Sequence, residues 1–120
     1  MCLVAFAWKS HPRWRLALAG NRDEFHGRPT APLAVWPGTG ILAGRDLRSG
    51  GTWVGLGRDG RVAVITNVRD GLPPAFNGLS RGALPVDFLA GSIPAPAHAQ
   101  ALADVARDYA PFNLVLADAD

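Results

Sequence analysis

The sequence predicts an α+β fold, with strands first, then two helices and one more strand. Two observations carry this. Short apolar runs separated by Gly, Pro and Asp turns fill residues 2–67, and a capped segment from Ser80 to about Leu89 and an Ala-rich stretch at helical spacing over 97–109 follow. The order is strands, then helices, rather than alternating βαβ units. At 120 residues the chain is read as one domain, 1–120, large enough to bury a single core.

Residues 2–8 read as a buried strand and 14–19 as its partner across a short turn. A polar loop follows over 20–29, punctuated by Gly20, Gly27 and Pro29. Short strands are expected near 33–36 and 41–43, and 44–51 is turn-rich. Residues 52–56 and 62–66 flank Gly57-Arg58-Asp59-Gly60, whose Asp-Gly pair is a strong hairpin signal. Residues 68–79 read as a loop with Pro73, Pro74 and Gly78. Ser80 can cap a helix running to about Leu89, although Pro85 sits near its start. Leu102, Val105, Ala106 and Tyr109 place a second helix over 97–109, and 112–117 read as the last strand. The chain stops just after that strand, so it is expected to be the N-terminal portion of a longer protein.

Composition narrows the function. The net charge is only +2, carried as +4 over residues 1–60 and −2 over 61–120, too small and scattered an excess for a nucleic-acid surface. Eleven of the twelve basic residues are arginine, a side chain suited to bidentate recognition of carboxylate or phosphate, or simply the trace of a GC-rich genome. One cysteine leaves no intrachain disulfide and no Cys-cluster metal site. The first apolar run is too short to span a membrane and lacks the basic segment of a signal peptide, so a cytoplasmic location is expected.

That cysteine is Cys2, directly behind Met1. Trimming of Met1 would leave a thiol and a free α-amine on one residue. An α-amine titrates at about 7.7–8.0, so near neutrality it can serve as the base for its own thiol. The plain alternative is a small apolar residue opening a strand. Polar residues gather at three strand ends, 21–24, 45–46 and 67–70. Were the first two strands antiparallel, Cys2 and Asn21 would share one sheet edge, and Asn67 could bring an amide there as an oxyanion donor. Asp23 could then hold an N-terminal ammonium or orient the thiol. Solvated turns, with Arg22 and Asp23 paired at the surface, explain these loops equally well.

Met1-Cys2-Leu3, then Gly20-Asn21-Arg22-Asp23-Glu24-Phe25, Arg28-Pro29-Thr30, Ala43-Gly44-Arg45-Asp46, Gly50-Gly51-Thr52-Trp53-Val54-Gly55, Thr66-Asn67-Val68-Arg69, Ser80-Arg81-Gly82 and Phe112-Asn113-Leu114 occur in this order. This succession resembles the NRDE-motif family, also called the transport and Golgi organisation protein 2 family, across nearly the whole chain. The resemblance implies an N-terminal nucleophile hydrolase-like αββα sandwich, here in its N-terminal portion. It also implies kinship with bile-salt hydrolases and penicillin V acylases, in which a mature N-terminal cysteine is nucleophile and base. Carried onto this chain, Cys2 matches the nucleophile, Asp23 the aspartate after the second strand, and Asn67 an oxyanion-hole asparagine. Those enzymes carry an arginine three residues before the aspartate, where this chain has Gly20 and places Arg22 adjacent instead.

Two functions follow as expectations. One is hydrolysis of a non-peptide C–N bond by Cys2, Asp23 and Asn67, with a small-molecule substrate and no required cofactor or metal. The other, also implied by the resemblance, is non-catalytic binding of haem or acyl-coenzyme A. There Asn21, Arg22, Glu24, Arg28, Arg45 and Arg69 would line the site, Trp8, Trp36 and Trp53 would form an apolar wall, and His11, His26 or Cys2 could ligate haem.

Overall fold

The computed structural model describes residues 2–68 and 79–119. The fold is α+β, and the described residues form seven strands in two antiparallel sheets and two α-helices. Strands β1 (Val4–Trp8) and β2 (Leu16–Gly20) form a hairpin of their own. Strands β3 (Thr30–Val35), β4 (Leu42–Asp46), β5 (Val54–Leu56), β6 (Val62–Asn67) and β7 (Phe112–Ala117) form the second sheet in that spatial order.

Helices α1 (Ala83–Ala90) and α2 (Ala95–Ala103) pack on one face of the larger sheet, α1 on β5 and β6, α2 on β7. The register explains which residues meet them. Gly55 pairs with Ala63 and Ala63 with Leu116, so these share the helix face. Leu84, Phe88 and Leu89 of α1 are fully buried there, with Ile41, Ala43 and Trp36 beside them. The other face carries Val54, Val64 and Val115, and it looks towards the β1–β2 hairpin.

Several boundaries differ from the sequence reading, each for a local reason. Strand β3 begins at Thr30 rather than near 33; Pro32 is tolerated because β3 is an edge strand whose register slips between Ala31 and Ala34. Helix α1 begins at Ala83, three residues beyond Ser80, and Ser80 contributes its carbonyl, not its hydroxyl, to the preceding turn. The expected helix over 97–109 starts earlier and breaks in two. Asp118 accepts the Ala95 N–H at 2.6 Å and fixes the start, and only a 3₁₀ turn over Ala106–Asp108 follows Ala103. The Asp-Gly turn is present as read, with Asp59 and Gly60 both at positive φ (59° and 76°). The expected loop over 68–79 lies mostly outside the described residues.

Where the β4–β5 connection meets the start of α1, two backbones touch. The Thr52 N–H donates to the Gly82 carbonyl at 3.1 Å, and a Cβ on Gly51 would lie 2.4 Å from Gly82 backbone atoms. Neither segment is a flexible side chain end, so Gly51→Ala must push α1 away from the sheet. We expect a loss of about 2–3 kcal/mol in urea unfolding, against no measurable change for Gly27→Ala, whose Cβ meets nothing within 4 Å.

Candidate functional site

The antiparallel register of the first hairpin pairs Val4 with Gly20, which carries Cys2 and Leu3 alongside Asn21 and Arg22. Asn21 fixes that edge from both sides. Its side-chain oxygen accepts the Leu3 N–H at 2.9 Å, and its own N–H donates to the Leu3 carbonyl at 3.1 Å. The next N–H but one, that of Asp23, donates to the Cys2 sulfur at 3.3 Å. Asp23 thus reaches the thiol through its main chain.

Cys2 opens onto a cleft of about 80 Å³ between the hairpin and the large sheet. Its walls are Val4 and Leu18 from the hairpin and Val54, Val64 and Thr66 from the sheet, with Arg22 and Trp53 alongside. Its lining is mixed: Val4, Leu18, Val54 and Val64 are apolar, and Cys2, Asn21, Arg22 and Thr66 bring polar groups to it.

The Arg22 guanidinium lies 4.2 Å over the Trp53 ring. Its Nη2 approaches Glu24 at 3.8 Å and Asp46 at 3.7 Å. Gly44 makes room for that ring, since a Cβ there would come within 2.8 Å of it. Asp46 is the hub of the arrangement. One carboxylate oxygen accepts the Arg28 Nε–H at 2.7 Å, and the other accepts the N–H groups of Arg48 and Ser49 at 2.9 and 3.3 Å.

Burial alone would push the Asp46 carboxyl above its usual range. The hydrogen bonds from the Arg48 amide, the Arg28 side chain and the Ser49 amide outweigh it and hold the carboxyl below 3.8. A depressed native value means stability that is complete above the unfolded value and lost as pH falls through the native one. Asp46→Ala should therefore cost about 2 kcal/mol near neutrality, and the difference between variant and parent should shrink in urea melts taken below pH 3.8.

The structure brings Cys2, Asn21, Arg22 and the Asp23 backbone together at one edge, with Glu24 beside Arg22. Arg28 is tied to Asp46 one step back from the cleft. Arg45 does not line it: its Nε donates to the Gly50 carbonyl at 3.1 Å and its guanidinium stacks 4.2 Å over Trp36. Asn67 pairs with Phe112 at the end of β6, on the helix face of the sheet by register, and is not among the lining residues. Arg69 lies outside the described residues. Of the aromatic wall expected from the sequence, Trp53 lines the cleft, Trp36 is core with its indole N–H on the Ala43 carbonyl, and Trp8 is exposed. Thr66 was not singled out by the sequence reading; its place on the cleft face follows from strand parity with Val64. Among the described residues no helix is long and apolar enough to cross a membrane.

The comparison with known proteins agrees with this arrangement of motifs. The family model described as Transport and Golgi organisation 2 matches residues 1–120. The chain is 33% identical over 128 residues to the Bos taurus Transport and Golgi organization protein 2 homolog, covering 98% of this chain and 45% of the bovine protein. The Homo sapiens homolog matches with the same identity and coverage. The Drosophila melanogaster Transport and Golgi organization protein 2 is 33% identical over 74% of this chain and 35% of its own length. The chain thus spans less than half the length of the curated relatives it matches, and it belongs to the Transport and Golgi organisation 2 family.

Proposed function

We propose that Cys2, with Met1 removed, is the nucleophile of an amidohydrolase acting on a small acyl amide, within an N-terminal nucleophile hydrolase-like fold. The observation that carries this is the position of the Cys2 sulfur: it borders a cleft of about 80 Å³ with mixed apolar and polar walls and accepts the Asp23 N–H at 3.3 Å. The layering of helices, sheet and a second small sheet is in keeping with part of an αββα sandwich. In the reaction, the α-amine takes the thiol proton as sulfur attacks the carbonyl carbon. The C–N bond then breaks as the ammonium returns that proton to the leaving nitrogen, and water hydrolyses the thioester. Asp23 steadies the ammonium, and Arg22 orients the amine-side portion of the substrate at the mouth of the cleft. A cytoplasmic, reducing setting keeps the single thiol free.

At the Cys2 cleft the geometry favours this reading over binding of haem or acyl-coenzyme A. Arg28 and Arg45 spend their guanidiniums on Asp46, Gly50 and Trp36, and the cleft is several-fold smaller than the roughly 300–1,000 Å³ of pockets that enclose drug-sized ligands. Intact mass of the purified protein before and after p-nitrophenyl butyrate tests it. Loss of Met1 and one butyryl adduct on Cys2, reversed by hydroxylamine, is the expected result. Retained Met1, or no adduct on a thiol that still alkylates, rejects it.

A further inference from the structure

The large sheet offers the cleft a second polar device. Register pairs Thr66 of β6 with Asn113 of β7, two positions beyond the Val64–Val115 pair, on the face towards the hairpin. The Asn113 amide Nδ2 donates to the Thr66 hydroxyl oxygen at 3.3 Å, and Thr66 lines the cleft with Cys2. A hydroxyl whose oxygen is already engaged as an acceptor is held in place with its own proton left to donate. Around it the sheet walls are Val54 and Val64, which carry no side-chain donor.

We propose that Thr66 and Asn113 recognise the acyl carbonyl: Thr66 donates its hydroxyl proton to the carbonyl oxygen, and Asn113 is the positioning residue that holds that hydroxyl. This deepens the proposed function and rests on its placement of a small acyl group beside Cys2. It assigns the sheet-side hydrogen-bond donor to the cleft face of β6 and β7. Asn67, by register, faces the helices.

Protection of Cys2 tests the pair without requiring any turnover. The rate of Cys2 alkylation by iodoacetamide is followed by intact mass as butyramide is added, using the full chain with its one cysteine. Butyramide should slow alkylation of the parent protein. Thr66→Val, nearly the same in shape and a good strand former, should need about tenfold more butyramide for equal protection, the worth of one lost hydrogen bond. Thr66→Ser restores the hydroxyl and should restore protection. Asn113→Asp supplies a carboxylate that only accepts, draws the Thr66 proton away from the cleft, and should weaken protection as Thr66→Val does. Each protein's protection is read against its own alkylation rate without butyramide. Protection of Thr66→Val equal to the parent, or no protection of the parent at all, overturns the assignment. Failure of the nucleophile reading looks different: no butyryl adduct from p-nitrophenyl butyrate, with Thr66-dependent protection intact.

Discussion

Cys2→Ala is expected to abolish the butyryl adduct and to lower any amide turnover by on the order of 10³-fold or more, the usual consequence of deleting a nucleophile. The chain has no second cysteine to take its place. Cys2→Ser keeps a side-chain nucleophile at the same position, but a hydroxyl is a far weaker one than a thiolate, so acylation should fall nearly as far. Asp23→Asn separates two contributions. It keeps the main-chain N–H that meets the sulfur at 3.3 Å, so the thiol stays where it is. A loss of acylation with unchanged alkylation would then belong to the carboxylate and its hold on the α-amine. A form that retains Met1 has no amine on Cys2 and should alkylate normally while forming no adduct. Turnover that survives Cys2→Ala would refute the assignment outright, and stopped-flow acylation with intact-mass detection reads every arm.

Elements with purely local causes were legible in the sequence. The Asp59-Gly60 turn needs two residues at positive φ, and its neighbours alternate as strands must. The β1–β2 hairpin was equally plain, and with it the meeting of Cys2 and Asn21 at one edge. Boundaries set by distant residues were not legible. Helix α2 starts at Ala95, with Pro96 in its first turn as the local signal and Asp118, 23 residues later, accepting the Ala95 N–H, a partner that nothing within 95–103 announces. The backbone approach of Gly51 to Gly82 is likewise visible only once β4, β5 and α1 are assembled.

The candidate site divides in the same way. Cys2, Asn21, Arg22 and Asp23 lie within one hairpin and the loop after it, so their proximity follows from one register. The sheet side of the cleft depends on which face each strand turns inwards. Strand β6 reads Val-Ala-Val-Ile-Thr-Asn and is buried on both faces, so its parity is hidden and Thr66 and Asn67 look equally eligible. Pairing with β7 decides it: Thr66 shares the cleft face with Val64, and Asn67 the helix face with Ile65. Asp46 was visible as one of several polar strand ends. Its place as acceptor for Arg28, Arg48 and Ser49 emerges only from the loop packed around it.

Arg61→Met is expected to be strongly destabilising, costing about 3 kcal/mol. Arg61 is only 7% exposed. Its Nε donates to the Phe88 carbonyl at 2.9 Å and its Nη2 to the Ile93 carbonyl at 2.6 Å, while the guanidinium lies 3.8 Å over the Phe88 ring. Phe88 belongs to the last turn of α1, where its carbonyl has only the capping Gly91 N–H and a cation is favoured. Methionine fills the stem but loses both charge-assisted hydrogen bonds: the Ile93 carbonyl loses its guanidinium donor, and the Phe88 carbonyl keeps only the Gly91 N–H at 3.2 Å. For a domain of this size that is roughly 4–8 °C of melting temperature per kcal/mol. A second signature distinguishes this cause from a generic packing defect. The His98 ring packs edge-on to Phe88 at 5.2 Å, and its pKa is pushed below 6.5, first by burial and then by the Arg61 charge, with Asp87 pulling the other way. A lowered native pKa makes the unfolded chain bind the proton first, so stability is full above 6.5 and falls as pH drops from there towards the native value. Removing the Arg61 charge removes one of the two depressing causes. The variant should therefore be less stable throughout, yet lose less further stability than the parent between about pH 6.5 and 5. Parallel pH profiles for the two proteins would show that Arg61 acts on α1 alone and leaves the His98 proton untouched.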